Sequence, residues 1–462
     1  MGIRGNFHYF LEFSFYRCYA NNMIENPPLI TDKNMISPEQ IMHILSTTEY
    51  RELLLKIEND YSYWDKIKYY GTKELSSEVL WQVVKFSRII YANQINFGEF
   101  SFTFHITNHN QQLLHEFDMN FGGTLSGFRT ISEKNKQYYL LSSIMEEAIA
   151  SSQMEGANTT RKVAKEMLRK QTKPKDKSQQ MIFNNYNTIR FLSEQKNTKL
   201  TPELLLEIHK KITEKTLDNQ QDEGSFRKDN NIFVVNGITG EVAHDPPSYE
   251  KIPKIINQLC DFANKDDTFI HPIIKAVIIH FLISFLHPFV DGNGRTARSL
   301  FYWYMLKKGY WMTEFLSISR IIYKKKNLYE KAFLYTEHDN LDLGYFIQYN
   351  MKVLKESFEE LKIYLHRKTK ETNALLEFKN IKNINERQAH ILKMIQEKPS
   401  SIFECKNLIN ILGVSIKTVR SDLEGLVTLG FMTTVPLNKR LVGYIKSDSF
   451  ESKLKENSGN SL

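Results

Sequence analysis

The chain contains the stretch His287-Pro288-Phe289-Val290-Asp291-Gly292-Asn293-Gly294-Arg295-Thr296-Ala297-Arg298, which lies between two apolar segments with helical spacing. The proline after His287 disfavours α conformation at the histidine, so the preceding helix is predicted to end near His287. Asp, Gly and Asn are turn residues, and the two glycines let the backbone come close to a ligand. A second helix is predicted from about Arg295. The stretch is therefore predicted to be a helix, a tight glycine loop and a helix.

The side chains of this stretch suit an attack on a nucleotide phosphate. A glycine loop at a helix N-terminus favours anions, because its amides and the helix dipole point at the ligand. Arg295 and Arg298 are three residues apart, so they project to one side of the helix and can donate paired hydrogen bonds to phosphate oxygens. Asp291 is a hard oxygen ligand that suits Mg2+, and His287 can take a proton near neutral pH. A Gly-Asn-Gly turn by itself is more often a plain interhelical turn.

The whole stretch resembles the active-site motif of the Fic family, His-x-Phe-x-Asp/Glu-Gly-Asn-Gly-Arg-x-x-Arg, and every fixed position is filled. The resemblance implies a protein adenylyltransferase that moves AMP from ATP to a Ser, Thr or Tyr hydroxyl of a target protein. It implies His287 as the base for that hydroxyl and Asp291 as the ligand of Mg2+. It also implies a set of residues that hold the phosphates of ATP: Gly292, Asn293, Gly294, Arg295 and Arg298. Relatives that transfer phosphate depart from the motif at the arginines, so transfer of phosphate or phosphocholine is the less favoured alternative.

A second motif, Ser151-Ser152-Gln153-Met154-Glu155-Gly156, lies within a predicted helical region, residues 132–168. Ser151 and Glu155 are four residues apart and share one helix face, and Gly156 is a natural helix terminator. Alone, the motif would be an ordinary capped helix end. It resembles the inhibitory motif of the Fic family, Ser/Thr-x-x-x-Glu-Gly/Asn, in which the glutamate pairs with the second arginine, here Arg298. The resemblance therefore implies autoinhibition by Glu155, and it leaves removal of AMP open as a second activity.

An apolar run followed by Asn236-Gly237 predicts a β-hairpin before the first of the two central helices. The Fic family has a flap hairpin at this place, which pairs with the target protein by strand addition. The resemblance implies that the docking residues here are Ile232, Phe233, Val234 and Val235. A plain surface hairpin is the alternative.

The composition is that of an ordinary globular protein and argues against a membrane-spanning one. Of the 462 residues, 41% are hydrophobic and 25% are charged, which is ordinary for a soluble globular protein. The sequence shows no apolar run of membrane-spanning length. Three cysteines (Cys18, Cys260 and Cys405) are far apart and have no metal-binding spacing, so we expect a reducing, cytoplasmic location. The net charge of +8 permits a nucleotide or nucleic-acid partner without requiring one.

The predicted fold is mostly α, with a Fic helical core, a flap hairpin, a helical N-terminal region and a small C-terminal winged-helix domain. The predicted domains are a flexible arm (1–34), an N-terminal helical domain (35–131), a catalytic domain that includes the inhibitory helix (132–350), a helical linker (351–382), a winged helix-turn-helix (383–446) and a disordered tail (447–462). The resemblance to the Fic family also leaves open whether two copies of the chain form a homodimer.

The segment 383–446 resembles a winged helix-turn-helix, because three predicted helices precede a hairpin. Residues predicted to face DNA lie on its third helix and on the wing: Lys417, Thr418, Arg420, Lys439 and Arg440. The basic excess of the segment is weaker than that of a strong DNA-binding domain. If this segment binds DNA, the alternative function of the chain is a DNA-binding transcriptional regulator that uses the Fic core as a nucleotide sensor. A docking or structural role is a further alternative for this domain.

Overall fold

The computed structural model describes residues 24–122, 133–235, 239–379, 381–438 and 441–458. The chain is mostly helical, as predicted, and it divides into two compact units. The first unit ends at Leu361 and the second begins at Lys362, apart from a short segment around 127–132 that lies outside the described residues. No helix in the described ranges is long and apolar enough to cross a membrane.

The N-terminal region of the first unit is a helical layer with one hairpin. Its elements are α1 (Pro38–Ser46), α2 (Thr48–Asp60), α3 (Trp64–Ile67), α4 (Ser77–Ile90), β1 (Asn93–Phe97), β2 (Phe100–Phe104) and α5 (Asn108–Phe117). Ser37 caps α1 through a capping box, as its position before Pro38 predicts. Trp81 and Tyr63 are buried in its core.

The predicted flexible arm is wrong for residues 24–34. Ile24 is buried, and Ile30 packs against the same core. Glu25 also forms an ion pair with Lys68. The physical reason is that the two isoleucines remove apolar surface from water by packing on the helical layer, which holds the segment against it. The rest of the predicted arm, residues 1–23, lies outside the described residues.

The rest of the first unit surrounds two central helices, which are buried along nearly their whole length. Its elements are α6 (Glu133–Met154), α7 (Arg161–Lys170), α8 (Lys177–Glu194), α9 (Pro202–Thr213), β3 (Val234–Val235), β4 (Val242–His244), α10 (Ile252–Asn264), α11 (Pro272–Leu286), α12 (Asn293–Lys307), α13 (Ile318–Lys324) and α14 (Lys326–His338). The central helices are α11 and α12. α11 is largely apolar and both helices are buried on nearly all sides, which is typical of helices in a protein core.

The helical region predicted over 132–168 is interrupted between α6 and α7. Gly156 adopts a φ of +92°, which ends the first helix in a conformation that favours glycine. Thr160 then caps the second helix by accepting from the backbone N–H of Val163. The break leaves Glu155 at the very end of α6.

The second unit begins within α15 (Gly344–Lys379) and contains three further helices, a two-stranded antiparallel sheet and a last helix. These are α16 (Glu386–Glu397), α17 (Cys405–Leu412), α18 (Ile416–Thr428), β5 (Met432–Pro436), β6 (Val442–Lys446) and α19 (Phe450–Ser458). Its core includes Val419, Leu423 and Leu426, as the spacing on α18 predicts. The predicted disordered tail is wrong for residues 450–458. The ring of Phe450 is buried against Phe431, and this apolar anchor holds the last helix on the unit.

Candidate active site

The loop between α11 and α12 is closed by its own backbone and by one asparagine. The Asn293 side chain accepts from the backbone N–H of Phe289 at 3.0 Å and donates to its carbonyl at 2.8 Å. Gly292 has a φ of +84°, and a Cβ there would lie 2.9 Å from a methyl group of Thr213. The loop therefore needs glycine at 292 for both conformation and space. The amide oxygen and one amide N–H of Asn293 therefore hold the loop in shape.

His287 lies at the C-terminal end of α11 and is only partly buried. Its backbone has a φ of +46°, a left-handed conformation that turns the chain into the loop. Its Nδ1 lies 3.1 Å from the carbonyl oxygen of Ser284, so Nδ1 carries the proton and Nε2 is left as the basic nitrogen. Burial lowers the pKa of His287 to about 4. The imidazole is therefore neutral at pH 7 and able to accept a proton.

The two predicted arginines are both fully buried on the first turns of α12. Arg295 donates to the carbonyl oxygen of Ile212 and to Asp291 Oδ2, each at 3.3 Å. Its Nε is buried without an acceptor among the described residues. A buried guanidinium with an unused donor at a helix N-terminus favours an anionic ligand.

Arg298 is held by the end of α6. Its Nε donates to Ser151 Oγ at 2.9 Å, and its Nη2 donates to the Ser151 carbonyl oxygen at 3.0 Å and to Glu155 Oε1 at 2.7 Å. The Arg298 side chain is 2% exposed and that of Glu155 is 29% exposed. The structure thus places Ser151 and Glu155 on Arg298, the contact that their resemblance to the inhibitory motif implies.

The Glu155 carboxylate also fills the space in front of the glycine loop. A Cβ at Gly294 would lie 2.2 Å from Glu155 Oε1. Burial raises the pKa of Glu155, but the charge of Arg298 and the hydrogen bond from it outweigh this, so the pKa is lowered. The ionised carboxylate therefore occupies the position at the start of α12 that suits a phosphate.

Asp291 is the one predicted metal ligand of the loop. Its side chain is 48% exposed, and Oδ1 accepts from the backbone N–H of Gly292. Within the described ranges, no group of three or more His, Cys, Asp or Glu side chains is placed to hold a metal ion. A single accessible carboxylate beside an anion site fits Mg2+, which takes one or two protein carboxylates and completes its coordination with water and substrate phosphates.

The predicted hairpin is present, with a shorter first strand than expected. Val234 and Val235 pair antiparallel with β4, whereas Ile232 and Phe233 precede the strand, and the Asn-Gly turn lies outside the described residues. Phe233 is 48% and Val235 is 55% exposed, while Ile232 and Val234 are partly buried. This alternation is typical of an edge that can take another strand.

Four site residues were not predicted from the sequence: His209, Arg227, His244 and Glu337. The His209 ring stacks on Phe289 with centroids 3.7 Å apart and donates from Nε2 to the Asp291 carbonyl oxygen at 2.8 Å. Arg227 and His244 contact the other side of the loop. Arg227 reaches the His287 carbonyl oxygen 60 residues away, and His244 reaches the Phe285 carbonyl oxygen 41 residues away, so no local pattern marks these contacts. Arg227 occurs just before the predicted hairpin, which is the only sequence signal for it.

The residues predicted to face DNA lie in the second unit. Lys417 and Arg420 are exposed on α18, and Thr418 is partly buried next to the cap formed by Ser415. Lys439 and Arg440 lie outside the described residues. DNA binding therefore stays a prediction, and a mobility shift near physiological salt, where weak nonspecific binding is lost, is its test.

Comparison with known proteins identifies the part of the chain that carries this loop. Residues 199–305 match the family model described as the Fic/DOC family. The chain is 32% identical over 117 residues to the protein adenylyltransferase Fic of Nematostella vectensis, which covers 25% of this chain and 25% of that protein. It is 30% identical over 116 residues to the protein of the same name from Aedes aegypti, which covers 25% of this chain and 21% of that protein. The chain thus spans about a quarter of the length of the curated relatives that it matches.

A solved structure extends the comparison to the fold. A Fic family protein from Desulfovibrio desulfuricans G20 superposes with a TM-score of 0.51 at 17% identity, and the match covers 73% of this chain and 94% of that one. At this identity the likeness concerns the fold alone. The fold likeness agrees with the match of residues 199–305 to the Fic/DOC family and with a mostly helical core.

Proposed function

We propose that the chain is a Fic-family protein adenylyltransferase, which moves AMP from ATP to a Ser, Thr or Tyr hydroxyl of a target protein and is restrained by its own Glu155. The observation that carries this proposal is the neutral imidazole of His287 beside a glycine loop and two buried arginines at one helix N-terminus. A base, an anion site and two guanidinium groups around one helix N-terminus are what transfer to a phosphorus atom requires. The names of the relatives point to the same activity.

In the proposed reaction, Nε2 of His287 takes the proton from the target hydroxyl. The hydroxyl oxygen forms a bond to the α-phosphorus of ATP, the bond between that phosphorus and the bridging oxygen to the β-phosphate breaks, and pyrophosphate leaves. The backbone N–H groups at the start of α12 and the guanidinium of Arg295 bind phosphate oxygens and offset the charge that develops on them. Asp291 would hold Mg2+, which supplies further neutralisation of the phosphates when it is bound.

Glu155 opposes this reaction in two ways. It holds Arg298, the group that the proposal assigns to the γ-phosphate, and it places a negative charge where a phosphate would lie. Both effects weaken ATP binding in the orientation that leads to transfer. The same carboxylate could orient a water molecule for removal of AMP, so release of AMP from a modified protein is the second activity to test.

The test is incubation with Mg2+ and ATP labelled at the α-phosphate or, separately, at the γ-phosphate. We expect label in protein from α-labelled ATP only, with more label in Glu155→Gly and none in His287→Ala. Label from γ-labelled ATP would make the protein a phosphotransferase and refute the proposal. The absence of label from every variant would favour AMP removal or the DNA-binding alternative.

A further inference from the structure

Two cationic side chains meet the C-terminal end of α11, the helix that ends at His287. Arg227 Nε donates to the His287 carbonyl oxygen at 2.9 Å, and its backbone N–H donates to the Pro288 carbonyl oxygen at 2.9 Å. His244 Nε2 donates to the Phe285 carbonyl oxygen at 2.7 Å. The last carbonyl groups of a helix have no partners within the helix, and the negative end of its dipole favours cations. These two side chains therefore satisfy the backbone that carries His287.

The same two side chains hold the ends of the flap hairpin. His244 is the last residue of β4, so its contact joins that strand directly to α11. On the other side, Arg227 donates to the carbonyl oxygens of Asp229, which precedes β3, and of Pro247, which follows β4. Arg227 is 3% exposed, and its guanidinium donates four hydrogen bonds to neutral oxygens, three of them backbone carbonyl oxygens and the fourth Asn230 Oδ1. These four hydrogen bonds link both ends of the hairpin with the segment that carries His287.

The contacts of His244 require a charged ring. Nε2 faces a carbonyl oxygen, which only accepts, and Nδ1 lies 2.8 Å from the Glu337 carboxylate on α14. A ring that donates from both nitrogens is an imidazolium. Burial lowers the pKa of His244, but Glu337 outweighs it, so the pKa is raised. Among the described residues, its charged or titratable neighbours also include Asp245, which directly follows β4, and His287 at the end of α11.

We propose that Arg227 and His244 are positioning residues that fasten both ends of the flap to the helix end carrying His287, so that a target segment paired with the flap lies in a fixed register against Nε2. The proposal rests on the proposed function for its effect on transfer, whereas the fastening itself can be tested without it. Neither side chain contacts Glu155 or Arg298 in the described structure, so their loss should leave the autoinhibitory contact in place.

The first test measures the fastening by hydrogen–deuterium exchange of the flap and of the α11–α12 loop, in Arg227→Gln, His244→Gln and the unchanged chain. Arg88→Gln is the matched control, because Arg88 is 2% exposed and also donates to a backbone carbonyl, that of Ser62, but lies away from the site. We expect faster exchange in both the flap strands and residues 285–289 in the two test variants only. Unchanged exchange there, or the same change in Arg88→Gln, would overturn the proposal.

The second test measures transfer in a Glu155→Gly background, with a tagged His287→Ala copy of the chain as the acceptor and its concentration varied. We expect Arg227→Gln and His244→Gln to lower kcat/KM for the acceptor by about 10²-fold, the loss that a displacement of about 1 Å can cause. The affinity for ATP should change by less than twofold. Arg227→Lys retains the charge but lacks the fork of donors, so it should restore little.

A pH profile separates positioning from a loss of stability. The charge of Arg227 contributes to the lowered pKa of His287. Arg227→Gln should therefore move the acidic limb of the profile to higher pH, whereas Arg88→Gln should not. Normal acceptor kinetics in Arg227→Gln would overturn the inference. If exchange changes as expected but no variant transfers label from α-labelled ATP, the proposed function fails and the fastening of the flap stands.

Discussion

The strongest prediction concerns the contact between Glu155 and Arg298, which the proposal treats as the brake on transfer. The Oε1–Nη2 distance is 2.7 Å, and neither side chain is more than a third exposed. A hydrogen bond between charged groups in such a place contributes about 1.5–3 kcal/mol. If that energy must be lost before Arg298 can bind the γ-phosphate, Glu155→Gly should raise transfer at low ATP by about 10- to 150-fold.

A matched substitution separates charge from space. Glu155→Gln removes the charge and keeps the side chain in front of Gly294, where its Oε1 fills the position of a Cβ. The neutral amide can still accept from Arg298, through a weaker hydrogen bond of about 0.5–1.5 kcal/mol. We therefore expect Glu155→Gln to raise transfer less than Glu155→Gly does.

The assay is the initial rate of label transfer from α-labelled ATP over a range of ATP concentrations, together with the rise in Tm that ATP produces. Both variants should show a larger rise in Tm at a fixed ATP concentration than the unchanged chain, because a ligand that binds the folded state more tightly stabilises it more. Equal rates for all three proteins, with ATP bound equally well, would refute the reasoning. Equal rates for the Gln and Gly variants, both above the unchanged chain, would show that charge alone acts.

Three further predictions follow from contacts of the same region. Ser151→Ala removes the 2.9 Å hydrogen bond from Arg298 Nε, so transfer should rise about 2- to 10-fold; an unchanged rate with unchanged stability would argue against Ser151 as part of the brake. Gly294→Ala should lower the free energy of unfolding by about 1–3 kcal/mol, because the added Cβ would meet Glu155, and by less when Glu155 is replaced by glycine. Denaturant unfolding of the unchanged chain, the two single variants and the double variant measures this. An equal loss in both backgrounds would contradict the prediction. His280 is fully buried, and burial lowers its pKa to about 3, so its ring is neutral in the folded protein. In the unfolded chain the ring takes up a proton below about pH 6.5, which favours unfolding. The free energy of unfolding should therefore fall by about 2 kcal/mol between pH 7 and pH 5 because of this residue. His280→Gln should lose less stability between pH 7 and pH 5 than the unchanged chain does, and an identical loss would contradict the assignment.

The parts of the site that the sequence determined are those held by neighbours along the chain. The end of α11 at His287, the glycine loop and the start of α12 follow from a proline, turn residues and two apolar segments. Ser151 and Glu155 share one face of α6 because they are four residues apart. The reason is that helix termini and helix faces depend on interactions over three or four residues, which the order of residues shows directly.

The tertiary structure decided what joins distant segments. Arg227 and His244 reach carbonyl oxygens 60 and 41 residues away, and Glu337 meets His244 across 93 residues. No periodicity marks such contacts, because they depend on how whole helices pack. The order found at Ile24 and at Phe450 has the same origin, since a single apolar side chain fixes a terminal segment only once a core exists to receive it. The sequence by itself thus determined the chemistry carried by the loop, and the packing of the helices decided how the loop, the flap and Glu155 are held together.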